Sequence, residues 1–131
     1  MSTATIELGR FLTITGRRLQ EGESAPEMFS GAVDAAWHAM LGTAGYPAFC
    51  ERTAGREIRH AANAGMGPIG WVGAYEEAYG PLPEIWFTDA EGRVDREAMA
   101  RYRATGRVVA EWDCSPTTGD EDEIAPPADR R

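Results

Sequence analysis

Glycine and proline punctuate this chain so often that no regular element can run far. Breakers fall in the EGESAPE stretch (21–27), at Gly42, Gly45 and Pro47, at Gly55, at Pro68, in the PLP triplet 81–83 and at Gly106. Proline suits the first turn of a helix and not its interior, and glycine suits the residue just past a helix end. The chain must therefore fold from short elements, and the spacing of apolar residues between breakers decides their type.

Residues 5–20, TIELGRFLTITGRRLQ, read as a helix weakened by Gly9, Gly16 and β-branched threonines. Residues 27–42 are a better one, with Val33, Ala36, Trp37, Met40 and Leu41 on one face. Pro47 opens a short helix that ends near Gly55 and turns Phe49 and Cys50 inward. EIRHAANAGMG follows as a loop of small residues. Pro68 then opens a third full helix, with Trp71, Val72, Tyr75 and Tyr79 on one side. EIWFTD (84–89) reads as a strand, DAEGRVD as a turn, and Asp95 as the N-cap of a helix carrying Met99 and Tyr102. RVVAEWD (107–113) is the second strand. The two strands could pair parallel or antiparallel.

The expected fold is mostly α with a small two-stranded β element, an α+β domain over residues 1–114. The remainder, 115–131, holds four consecutive acids and three prolines with little apolar content. It cannot bury enough surface to offset its ordering entropy and is expected to be a disordered acidic tail.

The net charge is −8, and all 13 basic residues are arginine. Arginine in place of every lysine matches coding bias in a GC-rich bacterial genome; escape from lysine modification is the functional alternative. An acidic chain with no basic run repels phosphate, which argues against nucleic acid and anionic membranes as partners. No segment approaches the roughly 20 apolar residues of a membrane span. The first residues, MSTATIELGRFL, lack the form of a secretory signal. A cytoplasmic setting with reduced thiols follows, and two cysteines with 63 residues between them make no disulfide framework.

The chemistry concentrates in DAAWHAMLGTAGYPAFC (34–50). Asp34 and His38 are i and i+4 on one helix, so the carboxylate can take one ring N–H of the histidine and fix its tautomer. A half-buried structural histidine with a carboxylate partner has the same pattern. His38, Cys50, His60 and Cys114 are the chain's whole complement of histidine and cysteine. Two imidazoles and two thiolates form a good tetrahedral zinc set, with Asp34 orienting His38 from outside it. The spacing is not that of a zinc finger, and either cysteine could equally be plain core. A thiolate on Cys50 or Cys114 beside His38 would instead make a nucleophilic pair.

The run VDAAWHAMLGTAGYPAFCERTAGREIRH, residues 33–60, resembles the D-x-x-W-H … Y-x-x-F-C-x-x-x-x-G-x-x-I-x-H core of bacterial glycine-rich-domain-containing proteins. Asp34, Trp37, His38, Tyr46, Phe49, Cys50, Gly55, Ile58 and His60 match it position by position. The resemblance implies a related helical core carrying the same polar residues, and it supplies no activity. The glycine-rich region that names those proteins is absent.

Other features carry less. DAEGRVD places its glycine too early for a calcium-binding hand. Gly65-Met66-Gly67-Pro68 precedes a helix without the basic residue a phosphate site needs. Trp37, Trp71, Tyr75 and Trp112 could line an aromatic pocket for a flat ligand, or pack as core. Three readings remain. The first is a small zinc-associated domain of cytoplasmic origin. The second is a metal-free interaction or accessory module whose aromatic surface or acidic tail meets a protein partner. The third is a thiol-dependent enzyme.

Overall fold

The computed structural model describes residues 2–119 and 124–126. Its axis is α1 (Thr3–Gln20), against which α2 (Gly31–Leu41), α3 (Tyr46–Thr53) and α4 (Val72–Tyr79) pack. A 3-10 turn (Glu84–Phe87) and α5 (Arg96–Thr105) follow. Strands β1 (Arg59–Pro68) and β2 (Val109–Thr117) form one antiparallel two-stranded ribbon. The fold is thus mostly α with a small β element, as the punctuation implied.

The helix expected to be weak is the central one. Leu8, Phe11, Leu12 and Ile14 of α1 are fully buried. Its threonines are absorbed by the helix itself: the Thr13 and Thr15 hydroxyls donate to the carbonyls of Gly9 and Phe11, one turn earlier. Gly16 is a packing device, because a Cβ there would overlap the Ala54 carbonyl at the end of α3. Around Phe11 the rings of Trp37, Trp71 and Trp86 meet at centroid distances of 5.3–5.8 Å. Trp37, Trp71, Tyr75 and Trp112 are all buried, so the aromatic set forms core and does not line an open pocket.

One buried carboxylate ties this core together. Glu7 Oε1 accepts from the Tyr75 hydroxyl at 2.6 Å and from Trp86 Nε1 at 2.9 Å, while Oε2 pairs with Arg10 at 3.1 Å. Three elements thereby share one anion whose acceptors are filled.

Several expected boundaries move, each for a physical reason. EIRHAANAGMG is not a loop: its backbone supplies β1, because β2 offers it a ladder that propensity could not reveal. EIWFTD is not a strand. Pro83 starts a 3-10 turn in which Trp86 N–H donates to the Pro83 carbonyl, and Trp86 and Phe87 both turn inward. Only Thr88 makes a bridge, to Val94, and this closes the DAEGRVD turn. α2 starts after Ser30, whose hydroxyl accepts from Val33 N–H, so residues 27–30 stay outside the helix and Met28 bridges Cys114. Pro68 ends β1 and does not open α4. At the other end, Ser115, Pro116 and Thr117 complete β2 opposite Ala61, His60 and Arg59, which moves the domain boundary past 114. Ile124 also lies against the body, its carbonyl accepting from Ala25 N–H at 2.8 Å. The rest of the tail expectation falls on residues 120–123 and 127–131, outside the described residues.

Among the described residues no helix is long and apolar enough to cross a membrane.

Candidate metal site

The residues of the 34–60 motif divide into a scaffold and a face. The scaffold is a relay of hydrogen bonds. Trp37 Nε1 donates to the Tyr46 hydroxyl at 2.9 Å, and that hydroxyl donates to the Ile58 carbonyl at 2.6 Å. The Cys50 thiol points to the same carbonyl, with Sγ 3.9 Å from the oxygen. Ile58 is fully buried. α2 and α3 together therefore fix the backbone two residues before His60 and set where β1 begins. Phe49 packs toward Gly9 of α1 and holds α3 in place.

The face is the side of α2 turned to β1. Asp34 and His38 stand one turn apart, with His38 Nε2 3.3 Å from Asp34 Oδ2. His60 arrives from β1 with Nε2 3.6 Å from Asp34 Oδ1. The two imidazole centroids are 4.4 Å apart, and Trp37 packs edge-on against His60 at 4.8 Å. One potential ligand atom from each of Asp34, His38 and His60 lies within 4.8 Å of the others. A zinc ion with ligands at 2.0–2.1 Å in tetrahedral array spaces them about 3.4 Å apart. The carboxylate–imidazole separations are already near that value.

The His60 nitrogen gives the cluster its chemical character. Nε2 is buried and has no hydrogen-bond partner. Burial lowers the His60 pKa below the ordinary histidine value, and the neighbouring His38 lowers it further against the opposing pull of Asp34. His38 differs, with about half of its side chain exposed. The cluster opens to solvent on that side through a depression bordered by Leu41, Tyr46, Glu57 and Arg59.

The expected four-residue set does not assemble as one group. His38 and His60 converge, and Asp34, expected only to orient His38, lies between them at ligand distance. Cys114 touches the group through Asp34, its Sγ donating to Oδ1 at 3.1 Å. Cys50 is occupied at the Ile58 carbonyl. Both cysteines are buried free thiols. Burial pushes the Cys114 thiol far above its usual pKa, and the hydrogen bond to Asp34 and that residue's charge act the same way. That is the reverse of nucleophile activation.

Sequence reasoning passed over Glu27, a second buried carboxylate. It is 1% exposed, its Oε1 has no partner, and Oε2 accepts one long contact from Gly70 N–H at 3.4 Å. Its place in an acidic, proline-containing stretch read as loop. The one available signal was the apolar Met28-Phe29 pair that follows.

Comparison with protein-family models, with curated proteins and with solved structures gives no match.

Proposed function

We propose that this chain is a small domain that binds a divalent transition metal, with zinc the best match, through Asp34, His38 and His60. The observation that carries the reading is the His60 nitrogen: buried, without a hydrogen bond, and directed at a carboxylate that a second imidazole also faces. A buried polar atom left without a partner costs about 1–3 kcal/mol. A cation between the three groups would satisfy His60 and neutralise Asp34 together. The mixed nitrogen and oxygen donors suit zinc and other borderline ions better than hard calcium or magnesium. Two buried free thiols accord with a reducing compartment such as the cytoplasm.

The test is elemental analysis and zinc calorimetry on untagged protein. The expected result is about one zinc per chain, lost on His60→Ala and retained on Cys50→Ala. Zinc at a hundredfold excess over its Kd should add about 2.7 kcal/mol to stability. Protein that neither carries nor takes up metal would overturn the reading.

A further inference from the structure

Two glycines interrupt α1, and packing requires only one of them. At Gly16 a Cβ would overlap the Ala54 carbonyl, whereas at Gly9 it would stand 3.4 Å from Phe49 Cζ and 3.5 Å from Thr53 Cγ2, an ordinary contact. Gly9 serves no positive φ either. Glycine is the poorest helix former after proline, so the central helix keeps a weak residue where alanine would fit. The missing side chain leaves a trough of about 300 Å³ between α1 and α3, bordered also by Tyr79 of α4.

The trough is apolar inside and cationic at its border. Thr13 and Thr53 line it, and both hydroxyls donate to carbonyls of their own helices, at 2.9 and 2.8 Å. Their polar atoms are thus engaged, and Thr53 turns its methyl toward Gly9. Ile6, also on the trough, is 43% exposed, the one large apolar side chain of α1 left to solvent. Two guanidinium groups flank this surface, Arg10 4.8 Å from the Tyr79 ring centroid and Arg52 5.7 Å from that of Phe49. Arg10 Nη1 is held by Glu7 and Tyr75. Arg52 has no ion pair among the described residues. No Asp or Glu borders the trough, although the chain as a whole carries −8.

We propose that this trough is a second binding site, for a free aliphatic carboxylate of medium chain length, with the alkyl chain over Gly9 and the carboxylate paired with Arg52. Size and charge both select that class. Thr5 to Thr13 spans about 12 Å of α1, the reach of one short chain. The volume is at the lower limit of small-ligand sites. Ile6 alone offers too little apolar surface for a docked helix, which needs several anchors along one stripe. A guanidinium fork matches a carboxylate, and the Phe49 ring beneath it holds it in place. The trough shares no residue with the Asp34, His38 and His60 cluster and does not depend on metal.

Octanoate is the probe, followed through the Ile6 methyl signals of isotope-labelled full-length protein. It should move these signals saturably. Octylamine, a cation at neutral pH with the same chain, should bind roughly tenfold more weakly, and so should butanoate. Arg52→Gln should weaken octanoate roughly tenfold. Gly9→Ala should weaken it severalfold while raising thermal stability, because the methyl group occupies the trough and favours the helix. Loss of binding is thereby separated from loss of fold. Ile6 signals that stay still, or that respond equally to octanoate and octylamine, would overturn the site. Signals moved by phosphatidylglycerol vesicles and not by octanoate would assign the surface to a membrane and overturn the small-ligand site. Octanoate binding unchanged in Gly9→Ala would overturn the trough as its place, and binding unchanged in Arg52→Gln would overturn the role of Arg52.

Discussion

Glu7 and Asp34 are both carboxylates set on helices among aromatic rings, and they have opposite situations. Glu7 is 3% exposed and has donors from Tyr75, Trp86 and Arg10 around it. Nothing more can bind it without breaking the core. Asp34 keeps about 29% of its side chain exposed, and it faces two imidazoles, one of which finds no hydrogen bond. The difference shows how one residue class serves structure or chemistry. A carboxylate whose donors come from three packed elements is part of the fold. One whose neighbours are themselves short of partners is available to a ligand.

Breaking Glu7 should have the largest effect. Glu7→Ala leaves the Tyr75 hydroxyl and the Trp86 N–H buried without an acceptor and should cost about 3 kcal/mol in urea denaturation. A loss below about 1 kcal/mol would mean the knot does not hold the core.

Glu27 sharpens the contrast, since it is buried like Glu7 yet has an Oε1 with no partner and one long hydrogen bond, from Gly70 N–H, to Oε2. Burial raises its pKa above the ordinary carboxylate value, with the backbone N–H groups of Glu27 and Gly70 and the charge of Arg18 only partly opposing. The folded state therefore holds this proton more tightly than the unfolded state does. The resulting stability is present at low pH and declines as pH rises from the ordinary carboxylate range through the raised folded value. Glu27→Gln should flatten that decline and stabilise the protein by about 1 kcal/mol near pH 8. Denaturation midpoints of the variant and the parent across acid and neutral pH would show it, and parallel profiles would contradict it.

The smallest effect belongs to the site itself. Asp34→Asn in metal-free protein should change stability by about 0.5 kcal/mol or less, because the carboxylate is partly solvated. The same variant should lose zinc binding in calorimetry. A large loss of stability without metal would place Asp34 in the same class as Glu7.

How much of this was legible depended on where the deciding contact lay. α5 could be read because its signals are local: Asp95 caps it, accepting from Ala98 N–H, Met99 and Tyr102 face inward, and Gly106 ends it. The Asp34–His38 pair was legible for the same reason, being one helical turn. β1 was not legible, because RHAANAGMGP has neither strand propensity nor clean alternation and exists as a strand only through its pairing with β2. That one miss hid the geometry of the site. With residues 57–67 read as loop, nothing placed His60 against α2, and Cys50 had a stronger claim as a ligand than Cys114. EIWFTD misled in the other direction: its aromatics have strand propensity, but burial of Trp86 and Phe87 side by side needs a turn.

The ribbon also sets an order of events. Residues 69–108 lie between the two strands, so closing β1 on β2 encloses α4, the 3-10 turn and α5 within one loop. Contacts that span so much chain form slowly, because the entropy of closure precedes their reward. During synthesis the helices can gather around α1 while β1 waits for a partner some 40 residues further on. His60 rides on that waiting strand, and the Cys114 thiol that holds Asp34 arrives only with β2. The site is therefore a late product of folding: a chain stopped before β2 would carry His38 on α2 and lack the strand pairing that holds His60 against it.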